Sequence, residues 1–155
     1  MAAQMLQSLE RGGFQPARVD VEVRLGTLHA APASALAELA ALRAAGASVV
    51  LDEFGQEGDT LPGPVPADGL KLARRLVAAA TQDGEPPPQL LAAIQAGRDL
   101  PRGVAASGVE DPGQREKLLG MGIRLMQGFL FCRPGPASGL GGIELKNLPF
   151  RPRRA

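Results

Sequence analysis

The sequence predicts an α/β domain built on a parallel sheet of about five strands. Three observations lead there. Strand-like and helix-like segments alternate between punctuating glycines and prolines, which number 20 and 14. Hydrophobic residues make up 45% and charged residues 21%, an ordinary balance for a globular domain with a core of its own. Polar residues fall where the strand-like segments end, the edge at which parallel α/β proteins build their sites. The alternation fits a doubly wound sheet or a piece of a (β/α)8 barrel equally well. No G-x-G-x-x-G follows a strand and no G-x-x-x-x-G-K-[ST] occurs, so the usual nucleotide-binding folds lose support.

Each element has its own warrant. Met1 to Arg11 puts Met5, Leu6 and Leu9 on one helical face and stops at Gly12-Gly13. Arg18 to Leu25 alternates, with Val19, Val21, Val23 and Leu25 on one side, as a strand does. Pro32 to Ala45 spaces Leu36, Leu39 and Leu42 as a helix and ends before Gly46. Ser48 to Leu51 is a short apolar strand running into Asp52-Glu53-Phe54-Gly55. A Gly/Pro-rich loop from Gln56 to Asp68 precedes a very short strand at Leu70 to Leu72. Arg74 to Thr81 and Pro88 to Ala96 read as helices parted by Gly84-Glu85-Pro86-Pro87. Gly103 to Ala106 is the next strand, Pro112 to Met121 the next helix, and Ile123 to Met126 the last strand. Residues 1–138 therefore form the domain, and 139–155 are a Gly-rich, then basic, loosely docked tail.

Composition excludes several classes of function. A net charge of +1 creates no field that would draw nucleic acid or a membrane surface. No apolar run approaches the roughly 20 residues of a membrane span. The segment MAAQMLQSLERGG lacks the basic and apolar regions of a secretory signal. Cys132 is the single cysteine, which suits a reducing cytoplasm, and it is expected to pack as a small hydrophobe. Aromatic residues are 3%, with no Trp or Tyr, so the core must be aliphatic.

The strand ends carry Glu22, Asp52, Glu53, Lys71, Ser107, Glu110 and Gln127. Carboxylates with one lysine suit Mg²⁺ or Mn²⁺, hard ions that take oxygen ligands. Two such ions could activate water and clamp a phosphodiester. The plainer alternative is that these groups cap the following helices. On that reading Lys71 neutralises Asp52 in a salt bridge, Glu110 favours the dipole of the helix after it, and Gln127 bonds backbone at a strand end.

Several segments, in order and in register, resemble EAL domains, the cyclic di-GMP phosphodiesterase family. VDVEV is similar to the strand carrying E-[IL]-T-E, and LDEFG to L-D-D-F-G. GLKLA is similar to L-K-I-D, ASGVE to A-E-G-V-E, and QGFLFCRPGPA to Q-G-Y-L-F-G-R-P-x-P-A. The resemblance implies a partial (β/α)8 barrel lacking its N-terminal strands, matching roughly the C-terminal two-thirds of the domain. It places Glu22, Asp52 and Glu53 at metal-ligand positions, and Lys71, Glu110 and Gln127 at catalytic or ligand-contacting ones.

The departures from the family pattern carry as much information. Ser107 replaces a ligating glutamate, Glu53 an aspartate and Leu25 the second glutamate of E-[IL]-T-E. Gln56-Glu57-Gly58-Asp59-Thr60 replaces the G-T-G-Y-S-S loop. The E-A-L strand has no counterpart. The expectation is a degenerate regulatory or interaction module of cyclic di-GMP signalling, not an active enzyme. Its cofactor is none, or Mg²⁺ or Mn²⁺ if the ancestral site survives. Its partners are cyclic di-GMP and either a second copy or another protein covering the open barrel edge. The alternative is a phosphodiesterase yielding pGpG when another chain completes the site.

Overall fold

A computed structural model describes residues 1–29, 33–55, 67–82, 84–136 and 138. The strands are β1 (Asp20–Arg24), β2 (Ser48–Phe54), β3 (Gly69–Leu72), β4 (Gly103–Ser107) and β5 (Leu125–Gln127). The helices are α1 (Ala2–Arg11), α2 (Leu25–His29), α3 (Ala33–Ala44), α4 (Arg74–Ala80), α5 (Pro88–Gly97) and α6 (Pro112–Gly120). Most of the Gln56 to Asp68 loop and the 139–155 tail lie outside the described residues.

All four strand pairs are parallel, and the sheet order β1-β2-β3-β4-β5 follows the chain. A doubly wound sheet reverses its order at a switch point; this one never does. Crossovers of one hand then place every connecting helix on the same face. The two architectures that the alternation allowed are thereby separated in favour of a barrel segment.

The helix-covered face holds the core. Val49, Leu51, Leu70, Leu72 and Ala106 are fully buried there against Leu42, Val77, Leu90 and Leu118. Each such Leu or Val removes about 1.5–3 kcal/mol worth of apolar side chain from water. Side chains alternate along a strand, so the opposite face carries Glu22, Val50, Asp52, Lys71, Ala105, Ser107 and Gln127. That face is the concave one, a barrel interior that is polar along most of its length.

At the N-terminal ends of the strands, Asp68 ties the layers together. Its carboxylate accepts from Arg43 Nη2 at 2.7 Å and Nε at 2.9 Å, and from the Val49 N–H at 2.9 Å. Burial pushes this carboxyl up, but the Arg43 and Val49 hydrogen bonds and the charges of Arg43 and Arg102 outweigh it and hold it below the usual range. Arg102 also donates to Asp20 at 2.8 Å, joining β1 to the loop before β4.

Several boundaries depart from the sequence expectation. Leu25 is not the end of the first strand; it is 1% exposed and opens α2, a helix with no sequence forecast. The last strand is Leu125–Gln127 rather than Ile123 to Met126. Ile123 is spent on closing α6, its N–H bonding the Leu118 carbonyl at 3.0 Å after Gly122 turns at φ +85°. β2 runs on to Phe54. Cys132 is exposed, not packed as a hydrophobe, because it lies beyond the last strand.

Candidate functional site

The site forms where β2 leaves the sheet. Between Leu51, paired with Leu70, and Phe54, paired with Leu72, β2 has two residues against the single Lys71 of β3. This bulge puts Glu53 at φ +60°, a left-handed conformation that a non-glycine residue adopts at a cost. Bulges re-aim side chains and recur beside sites. Here it separates Asp52 from Glu53. The Asp52 carboxylate accepts the Glu53 N–H at 2.8 Å, while Glu53 turns towards Arg24 Nε, 3.5 Å away. Gly55 follows at φ +120°, and a Cβ there would lie 2.3 Å from Leu76 Cδ2, so α4 packs directly on this turn.

A cleft of about 620 Å³ opens beside the bulge, lined by Asp52, Glu53, Lys71, Arg74, Arg75 and Ser107 among others. Lys71 Nζ donates to both Glu22 oxygens at 2.8 Å, with the lysine 13% and the glutamate 46% exposed. The pair crosses the concave face from β3 to β1, over Val50 of the strand between. Arg74 pairs with Glu110. Ser107 lies beside Gln127 in register at the ends of β4 and β5. The exit from β5 is held tightly: Val109 N–H bonds the Gln127 carbonyl at 3.0 Å, and a Cβ on Gly128 would fall 2.0 Å from the Val109 carbonyl oxygen.

The polar residues expected from the sequence do gather at this end of the sheet, but several do different work. Lys71 pairs with Glu22 rather than Asp52, because the bulge commits Asp52 to the backbone. Asp111, not Glu110, caps α6, accepting the Gln114 N–H at 2.9 Å. Gln114 in turn accepts the Glu110 N–H at 2.7 Å, leaving the Glu110 carboxylate to Arg74. Gln127 engages backbone through its carbonyl, and its side chain is exposed. Among the described residues, no group of three or more His, Cys, Asp or Glu side chains is arranged to hold a metal ion.

Three cations went unnoticed in the sequence: Arg24, Arg74 and Arg75. The signal was present. Arg24 stands two residues after Glu22 on the same strand face, and Arg74-Arg75 follow directly on the strand that bears Lys71. Arg75 is exposed, lines the cleft and makes no ion pair among the described residues. No helix among those residues is long and apolar enough to cross a membrane.

The sequence and the fold have counterparts among known proteins. The chain is 31% identical over 135 residues to MucR of Pseudomonas aeruginosa, a bifunctional diguanylate cyclase/cyclic di-GMP phosphodiesterase, covering 86% of this chain and 20% of that protein. It is 30% identical over 123 residues to RocR of the same organism, a cyclic di-GMP phosphodiesterase, covering 78% of this chain and 31% of that one. The chain thus spans less than a third of the length of these relatives. The solved MucR phosphodiesterase in complex with c-di-GMP superposes with a TM-score of 0.77 at 30% identity, over 87% of this chain and 56% of that one. The manganese and cyclic di-GMP complex of BlrP1 from Klebsiella pneumoniae gives 0.72 at 30% identity, over 85% and 34%. The EAL domain family model matches residues 1–134, a span that contains every strand of the sheet and every residue of the site, and the chain belongs to the EAL domain family.

Proposed function

We propose that this chain is a regulatory module of cyclic di-GMP signalling that binds the dinucleotide without hydrolysing it. The observation that carries the reading is the state of the carboxylates around the cleft. Glu22 gives both oxygens to Lys71, Glu53 faces Arg24 and Asp52 is bonded to backbone. Ser107 contributes a neutral hydroxyl. A divalent cation needs anionic oxygens converging on one point, and this donor set does not fit one. Without a metal, nothing on the cleft wall would generate a hydroxide.

What remains suits recognition. Arg and Lys side chains at the cleft can meet phosphate oxygens, while Glu110 and Gln127 offer acceptors and donors at the same edge. β1 and β5 each have one strand neighbour among the described residues. A free parallel edge invites pairing, so a second copy or another protein covers it in this reading, and the module works in the cytoplasm.

The test is calorimetric titration of cyclic di-GMP into the purified chain in Mg²⁺ and again in EDTA, with product analysis after incubation in Mn²⁺. Saturable heat with the dinucleotide recovered intact is the expected result. Formation of pGpG would overturn the reading and promote the alternative, a phosphodiesterase completed by another chain. That alternative is favoured by the presence of Glu22, Asp52, Lys71, Glu110 and Gln127 together. Light scattering tests the pairing: a stable, monodisperse monomer would refute the second copy as the cover of the edge.

A further inference from the structure

Four cations, Arg24, Lys71, Arg74 and Arg75, stand against four carboxylates, Glu22, Asp52, Glu53 and Glu110. They are not evenly satisfied. Lys71 is fully engaged, with two contacts at 2.8 Å and a nearly buried stem. Arg74 is bound to Glu110. Arg24 is held loosely, 72% exposed and 3.5 Å from Glu53. Arg75 is held by nothing among the described residues and lies on the α4 side of the cleft, facing the same space as Glu53 on the β2 side.

Arg75 on the cleft wall, and Arg24 beside the Glu53 that lines the same cleft, offer two exposed guanidiniums to an anion with several oxygens. Guanidinium forks match phosphate oxygens two at a time and shed water more readily than ammonium does. We infer that Arg75 and Arg24 together form a metal-free clamp for a phosphodiester or pyrophosphate group, replacing with fixed protein charge what a divalent cation would supply. This deepens the proposed function by naming the groups that meet the phosphates, and it rests on that reading only for the identity of the dinucleotide. Neither arginine supports the fold through a buried contact, so both can be removed without opening the core.

The experiment is titration in EDTA of cyclic di-GMP, and separately of inorganic pyrophosphate, into the wild-type chain and into Arg75→Ala, Arg24→Ala and the double variant. Arg11→Ala is the control, at the end of α1 and away from the cleft. Circular dichroism melts verify that each variant folds. Each single substitution should weaken binding about tenfold or more, as loss of a charge-assisted contact does, and Arg11→Ala should change nothing. Wild-type affinity in both arginine variants, or saturation only when Mg²⁺ or Mn²⁺ is added, overturns the clamp. Pyrophosphate binding that depends on Arg75 while cyclic di-GMP fails to bind upholds the clamp and overturns the proposed ligand. Failure of both probes in the folded wild type overturns both.

Discussion

Replacing Asp68 by Asn keeps the shape of the side chain and removes its charge, which isolates the electrostatic work done at the N-terminal ends of the strands. Asp68 accepts three hydrogen bonds, two from Arg43 and one from the Val49 N–H. Its side chain is 15% exposed and that of Arg43 36%. Hydrogen bonds to charged groups contribute about 1.5–3 kcal/mol each when well buried. Arg43 can recover water on loss of its partner, so the pair is discounted for screening. A net loss of about 2 kcal/mol at pH 7 is expected, or a fall in Tm of about 6 °C for a domain of this size. With no Trp or Tyr in the chain, the assay is urea and thermal unfolding followed by far-ultraviolet circular dichroism.

The same substitution has a pH signature. The Asp68 carboxyl in the folded chain lies below its ordinary value, so its contribution is fully present above the unfolded pKa of about 3.9. It is lost as the pH falls through the lower, folded value. Protonated Asp68 is close to Asn in shape and charge. The gap between wild type and Asp68→Asn should therefore be constant from pH 7 to pH 5 and shrink below about pH 4. A gap under about 0.5 kcal/mol at pH 7, or one that persists undiminished at pH 3, would refute the account of Asp68 as a charge-dependent tie.

Two further substitutions probe the site end. Gly128→Ala drives a Cβ to 2.0 Å from the Val109 carbonyl oxygen, a backbone collision that no rotamer relieves. It should cost about 3 kcal/mol, the upper end of what overpacking does, and a melt within a degree of wild type would show that the β5 exit can open. Ser107→Glu adds an anionic oxygen at the end of β4, beside a cleft that already holds Asp52 and Glu53. It should raise Mn²⁺ affinity about tenfold or more, read by electron paramagnetic resonance of the free ion. An unchanged affinity would mean that the Lys71 and Arg24 ion pairs, not the missing carboxylate, keep cations out.

Much of the architecture was legible because periodicity and punctuation are local. The aliphatic run Ser48 to Leu51, the spacing of Leu36, Leu39 and Leu42, and the proline at position 112 each locate an element from a few neighbours. The motifs around Glu22, Asp52, Lys71 and Gln127 placed those residues at one edge of a parallel sheet, and the structure puts them there. Boundaries were less legible where a residue could serve two elements. Leu25 satisfies a strand alternation and a buried helix start equally. Ile123 is apolar enough for a strand, yet it closes α6.

The fold class, the order of the five strands and the family were legible in the chain alone, since each rests on patterns carried within short stretches, whereas α2 was not. The alternation of strands and helices taken alone left doubly wound sheet and barrel segment open, because strand order is a property of long-range pairing. The family motifs implied the barrel segment, and the strand order β1-β2-β3-β4-β5 agrees with it. The charge pairing was undecided. Whether Lys71 meets Asp52 or Glu22 depends on one extra residue in β2 that turns Glu53 to φ +60° and ties Asp52 to the backbone. Only the folded sheet brings Arg24 to Glu53 and leaves Arg75 over the cleft. Side-chain partners across strands 20 to 50 residues apart in sequence are set by register, and register is decided when the strands pack.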